Sequence, residues 1–395
     1  MKGQEKMATD VVRCAVIGAG LLGMRHAEFL AGRPNAKLVA VADLREAVAE
    51  QAARKTGAKA YTSYEQMLTA EKLDLVLIET PDNLHRAAAI AACEAGVPNL
   101  VIQKPLATTV ADGAAILAAA KASGTRVFVW YENRAFATDM ATQYAIRAGL
   151  IGKVVYGDCD TDNSINTPLA MWGERSQDWV SGSSPARFLA SHTIDRLYWY
   201  FAPARVERVF AIAQQEILRH TPDLYDVFLF FEGGLKVRVK VGWIHRIEGR
   251  IESAEVFNGT TGLIYNNRHP RFNMLPGWRV NVGGDVSLED LRGHQQVLHG
   301  RGVGSRIVQS DLITSGWGMA SPLGLEIPFV EAPKHELLRY VLDGIVEGTP
   351  TPKSWRDWQG DLPLVDGETA FDNVRVIVAI EQSVANGELV TIVRN

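Results

Sequence analysis

Along the first third of the chain, short apolar runs alternate with alanine-rich stretches of helical spacing. The runs cover 11–17, 38–42, 73–78, 100–102 and 127–130; the stretches cover 22–31, 45–56, 64–70, 82–95 and 109–122. Nearly unbroken Val, Ile and Leu are the mark of strands buried on both faces. Their alternation with helices predicts right-handed βαβ units and a doubly wound parallel sheet, a Rossmann domain over 11–134. Residues 1–10 are polar and read as a disordered leader, not a secretory signal.

Beyond about residue 150 the pattern changes. Runs at 154–160, 206–213, 227–231, 235–243 and 254–257 follow one another with little helix between them, and Glu232-Gly233-Gly234 joins two as a hairpin turn. A separate helix is expected at 188–201. Two polar stretches with Gly and Pro, 161–187 and 266–330, are too long for idle connections and are expected to wall a site or an interface. Helical spacing returns at 334–346 and 368–386. The second domain, 135–395, therefore reads as α+β with an open, mostly antiparallel sheet, its last helices free to pack back on the first.

Composition narrows the class. A chain of 395 residues exceeds the roughly 250 to 300 that one core sustains, so two domains are expected. A net charge of −4 offers no basic footprint for nucleic acid or an anionic membrane. No run approaches the ~20 apolar residues of a membrane span. Cys14, Cys93 and Cys159 are scattered and odd in number, which leaves no disulfide framework or CxxC metal site and fits a reducing cytoplasm. His335-Glu336 lacks the second histidine of a zinc helix, so no metal is expected.

The first strand runs directly into Gly18-Ala19-Gly20-Leu21-Leu22-Gly23, which opens a helix. Glycines there permit a tight turn, close approach of backbone to a pyrophosphate, and close helix packing, while the helix N-terminus offers amides and partial positive charge. Asp43 ends the second run, placed to accept from ribose hydroxyls. Its charge would repel a 2′-phosphate, which favours NAD over NADP, although Arg45, just beyond Leu44, could bind that phosphate. Two other segments reach the carboxyl edge of the sheet, where ligands of such folds lie: Thr80-Pro81 with His85, and Gln103-Lys104-Pro105. Lys104 stops an apolar run dead, which places an ammonium near the nicotinamide.

These motifs, with Asn133-Arg134-Ala135-Phe136, Gly149-Leu150-Ile151-Gly152 and Ser191-His192-Thr193-Ile194-Asp195, resemble the Gfo/Idh/MocA family of NAD(P)-dependent sugar and polyol oxidoreductases. The resemblance runs over most of the chain. It implies a Rossmann domain followed by an α/β domain whose open sheet commonly forms oligomer interfaces, hence a homo-oligomer, a dimer or tetramer. It also implies hydride exchange between nicotinamide and a carbinol carbon, with Lys104 and His192 handling the proton. Two positions depart from the family: Gln103 stands where it has Glu, and Phe188 where it usually has Asp four residues before the histidine. The carboxylate of the expected proton relay is therefore missing, as in a divergent subgroup.

Proton removal from a secondary alcohol needs a group whose pKa lies near the working pH. A desolvated lysine beside a positive nicotinamide meets that need, and a neutral Gln103 would leave it easier to deprotonate than a glutamate would. Asp195, one turn beyond His192, could orient the imidazole. As substrate contacts, Tyr131, Trp172 and Trp243 could stack on a sugar ring, and Arg187 with Asp195 could bind its polar groups. The expected function is an NAD-dependent oxidoreductase acting on a ring secondary alcohol of a sugar, glycoside or cyclitol. The alternatives are an NAD-dependent glycosidase working by transient C3 oxidation, on an anionic glycoside such as a sulfoquinovoside, and a non-catalytic dinucleotide sensor.

Overall fold

A computed structural model describes residues 11–170, 179, 182–271, 274, 276–309, 323–328, 336–346 and 364–394. The chain divides into two compact units, one built from 1–132 and 334–374 and the other from 133–333 and 375–395.

In the first unit, β1 (Val12–Ile17), α1 (Leu21–Ala31), β2 (Ala36–Ala42), α2 (Glu46–Thr56), β3 (Lys59–Tyr61), α3 (Tyr64–Ala70), β4 (Leu75–Ile78), α4 (His85–Glu94), β5 (Asn99–Gln103), α5 (Val110–Ser123) and β6 (Arg126–Trp130) alternate along the chain. The sheet has seven strands; β6, β5, β4, β1, β2 and β3 lie side by side in parallel, and Val365–Asp366 closes the β6 edge antiparallel. All four residues of β4 and all five of β5 are buried, as helices on both faces require. The sequence reading missed β3 and the closing strand, because three and two residues carry no readable periodicity. Residues 334–374 return to this unit: Asn35 donates to Asp343 of the helix Glu336–Val346 at 3.0 Å, and a Cβ on Gly113 of α5 would meet Phe371 at 2.6 Å.

The reversal of strand order lies between β1 and β4. Both neighbours of β1 point their carboxyl ends the same way, and right-handed crossovers from β1 and β4 run to opposite faces, which is where sheets of this kind bind their ligands.

The second unit holds a ten-stranded sheet in the order β14, β15, β13, β12, β11, β7, β10, β9, β8 and the edge strand Val390–Thr391. These are β7 (Val154–Ser164), β8 (Val206–Gln214), β9 (Leu224–Phe231), β10 (Lys236–His245), β11 (Ile251–Gly259), β12 (Leu263–His269), β13 (Gly277–Asn281), β14 (Arg306–Gln309) and β15 (Leu323–Ile327). The pairing is antiparallel except between β10 and β7. The described part of 266–330 is largely sheet and helix, elements that the sequence reading did not place: β13, β14 and β15 lie in it with the helix Leu288–Gly300. Helices α6 (Ala137–Arg147) and α7 (Ser191–Phe201) bring apolar side chains to one core with Trp243, Phe257 and Trp278.

Candidate active site

The turn after β1 is shaped for a backbone-lined cradle. Gly18 takes a positive φ of 94°, and a Cβ there would lie 2.7 Å from the carbonyl oxygen of Glu79. A Cβ on Gly23 would strike the Gly18 carbonyl at 1.9 Å, whereas one on Gly20 would meet nothing within 4 Å. Two glycines thus serve packing, and the third leaves open space in front of α1. That helix has no side-chain cap, so no side chain of its own occupies its first amides, as a pyrophosphate site requires. Leu21 and Leu22 project outward beside the turn, and Leu44, 84% exposed, ends the neighbouring connection.

Asp43 is engaged more heavily than the sequence suggested. Its Oδ2 accepts from the Ala19 amide and from Arg45 Nη2, and its Oδ1 from the Arg45 amide and Nε, all at 3.0 Å. Burial pulls this carboxyl's pKa upward, but the Arg45 side chain and the amides outweigh it and hold the pKa below its ordinary value. The Arg45 side chain that covers this carboxylate is 41% exposed and lies at the surface.

Lys104 stands one residue beyond β5 and is 9% exposed. Burial draws its pKa down from 10.5 to about 8, against the charges of Glu132 and Asp82, which favour the ammonium. His85 is engaged by the loops on either side of it. It is buried, with Nδ1 2.9 Å from the Pro105 carbonyl and Nε2 3.1 Å from the Thr80 carbonyl, so it fastens the loop after β5 to the loop after β4. Burial lowers its pKa. Thr80 is half-buried and Pro81 exposed at that edge.

Gln103 is buried and donates from Nε2 to Glu79 Oε2 at 2.8 Å, while Glu79 Oε1 lies 2.7 Å from Nδ1 of His26 on α1. Neither Glu79 nor His26 was expected at the site. The available signals were an acid ending a wholly apolar strand and a histidine one turn past Gly23.

In the second unit, His192 is half-buried in the first turn of α7, directly after a π-helical turn, Ala186–Ala190. Such turns insert a residue into helical register and recur at functional sites. Asp195 is buried and takes a two-pronged ion pair from Arg134 at 2.7 and 2.8 Å, which ties it to the Asn133-Arg134 segment, in keeping with a structural or orienting role. Arg187 likewise pairs with Glu381 at 2.8 Å. Trp243 is fully buried and packs with Trp179 and Phe188, and Tyr131 of the first unit is fully buried too, so neither offers a ring face as it stands. Trp172 lies outside the described residues. Among the described residues, no group of histidines, cysteines and carboxylates could hold a metal ion, and no helix is long and apolar enough to cross a membrane.

Residues 12–131 match the family model described as "Oxidoreductase family, NAD-binding Rossmann fold", and 140–265 match the "GFO/IDH/MocA C-terminal domain". The chain belongs to the Gfo/Idh/MocA oxidoreductase family. Its N-terminal unit is an NAD-binding Rossmann domain. Among curated relatives, scyllo-inositol 2-dehydrogenase (NAD(+)) of Bacillus subtilis is 36% identical over 148 residues, 37% of this chain and 43% of that one. An alpha-N-acetylgalactosaminidase of Tannerella forsythia is 29% identical over 160 residues, 38% of this chain and 34% of that one. These matches span less than half the length of either relative. The solved WlbA dehydrogenase of Bordetella pertussis, in complex with NADH and UDP-GlcNAcA, superposes with a TM-score of 0.74 at 20% identity, covering 98% of this chain and 99% of that one, a likeness of fold.

Phe188 packs edge-on against Trp179, 5.0 Å between centroids.

Proposed function

We propose that the chain is an NAD-dependent dehydrogenase of a ring secondary alcohol in a sugar, glycoside or cyclitol. The observation that carries this reading is Lys104: a buried amine at the carboxyl edge of a dinucleotide-binding sheet, its pKa about 8. NAD, when bound, supplies the hydride acceptor. The glycine turn and open amides of α1 bind its pyrophosphate, and Asp43 orients a ribose once Arg45 swings aside. As the carbinol hydrogen leaves as hydride, Lys104 Nζ takes the hydroxyl proton; in reduction the ammonium returns it. His192 is assigned the second proton-handling role on the strength of the family resemblance. The substrate class follows the printed name of the inositol dehydrogenase among the relatives. A homo-oligomer built on the open sheet, acting on a small carbohydrate, completes the proposal.

The test is Lys104→Ala assayed against a panel of inositols and glycosides. Turnover is expected to fall by about a thousandfold, the scale of a lost general base, with NAD still bound. Unchanged turnover would end the assignment.

A second reading, a glycosidase that recycles NAD through transient oxidation, draws on the likeness to the α-N-acetylgalactosaminidase. The two part on one measurement. A dehydrogenase accumulates NADH in step with product; a recycling glycosidase releases aglycone with none.

A further inference from the structure

We propose that Glu79 is the positioning residue of Lys104, acting through Gln103. Part of this inference rests on the reading of Lys104 as proton acceptor, and its test separates the two. Glu79 is the first residue past β4, and its side chain is 0% exposed. Burying a carboxylate costs several kcal/mol unless donors meet it, so an acid at the end of an apolar strand needs a reason. Two donors meet it from different elements: the Gln103 amide at the end of β5, and His26 on α1. His26 in turn stands edge-on to Trp130 at 4.6 Å, and Trp130 is the register partner of Gln103 in β6.

The backbone of Glu79 is held as tightly. Its amide donates to the Ile17 carbonyl at 2.8 Å, and both packing glycines of the cofactor turn close against it, a Cβ on Gly23 falling 3.1 Å from Glu79 Cβ. One carboxylate therefore ties the residue preceding Lys104 to the helix that opens the cofactor turn.

The amide at 103 follows from the same geometry. A glutamate there would set two buried carboxylates in contact, and one would have to hold a proton. Gln103 and Glu79 are thus a matched pair, in which the acid that the family resemblance expects at 103 stands one strand over. Glu79 acts by position and not by charge, since the charges that bear on Lys104 are those of Glu132 after β6 and Asp82 before α4, with His85 fastening the Pro105 carbonyl beside it.

The experiment compares the full-length wild type with Glu79→Gln, Gln103→Asn, Gln103→Glu and the double exchange Glu79→Gln/Gln103→Glu. Three readouts are taken: acetylation of Lys104 against pH, followed by mass spectrometry; NAD affinity by titration; and turnover at each variant's own optimum. In Glu79→Gln the midpoint of Lys104 labelling is expected to rise by roughly one pH unit as the loop loosens and water reaches the amine. Turnover should fall about tenfold, with NAD affinity changed less than about threefold, the pattern of a misplaced catalytic group. Gln103→Asn withdraws the donor by one methylene and must move the same readouts, which keeps the test alive should Glu79→Gln fail to fold. The double exchange re-forms the contact with its roles reversed and is expected to recover at least about tenfold in turnover over Gln103→Glu. The proposal falls if the labelling curves of the folded single variants overlay the wild type, if NAD affinity drops in step with turnover, or if the exchange rescues nothing. Should Lys104→Ala still turn over, the proton-acceptor reading fails alone, and the labelling curves still decide the role of Glu79.

Discussion

Each unit buries a cationic side chain, and the two are treated in opposite ways. In the first, burial draws Lys104 down to about 8 because the opposing charges of Glu132 and Asp82 do not offset it. In the second, Arg196 of α7 is as deeply buried, and burial again pulls its pKa down, but Glu255 at 2.6 Å and Asp139 at 3.7 Å outweigh that and push it above its ordinary value. Asp139 also accepts from Tyr200 at 2.7 Å and from Arg268 at 2.8 Å, so the whole cluster is neutralised in place. Desolvation is common to both sites; the counter-charge differs. A buried cation whose carboxylates outweigh its desolvation is locked and holds helices to a sheet, and one whose desolvation outweighs the opposing charges remains able to exchange its proton.

The comparison can be broken from either side. Arg196→Met should be the larger blow, because it strands Glu255 and Asp139 without their cation; a loss of about 3 to 5 kcal/mol is expected in denaturant unfolding, and a loss below about 1 would show that the cluster is not locked. Lys104→Met should do the reverse. Below pH 8 the lysine is protonated in folded and unfolded chains alike, and the folded state bears the full cost of burial; between 8 and 10.5 the folded state sheds the proton first and the cost fades as pH rises. The variant should therefore gain up to about 3.5 kcal/mol at pH 7, from a depression of about 2.5 units at roughly 1.4 kcal/mol each, with the gain vanishing above pH 10.5. No gain at neutral pH would mean that Lys104 is not strained by its burial. The finest probe is Gln103→Glu. The new acid and Glu79 would share one proton, so the variant moves the pair's single negative charge toward Lys104; the alkaline-activated limb of the rate profile should shift upward by at most roughly one pH unit, and an unmoved limb would show that residue 103 does not set the charge state of the lysine.

Most of the first unit was legible because its signals are local. Five buried strands announce themselves as apolar runs, and the glycine turn carries its own steric code in three residues. Lys104 was legible for the same reason, as a charge that ends such a run. What stayed illegible shares a cause as well. His85, Asp195, Arg187 and Trp243 can be judged from the sequence only by residue type and neighbours, whereas their partners lie far along the chain: the Pro105 carbonyl, Arg134, Glu381, and the rings of Trp179 and Phe188.

The sequence by itself determined the alternation of strand and helix, the dinucleotide turn, and a lysine at the sheet's carboxyl edge, since each depends on steric and hydrophobic rules that act over a few residues. Only the tertiary structure decided which carboxylate serves which donor. Glu79 meets Gln103 because β4 and β5 are neighbours in the sheet, and it meets His26 because Gly18 and Gly23 let α1 approach them. Hydrogen bonds and ion pairs act over about 3 Å between groups that the chain separates by tens of residues, and no local pattern encodes that meeting.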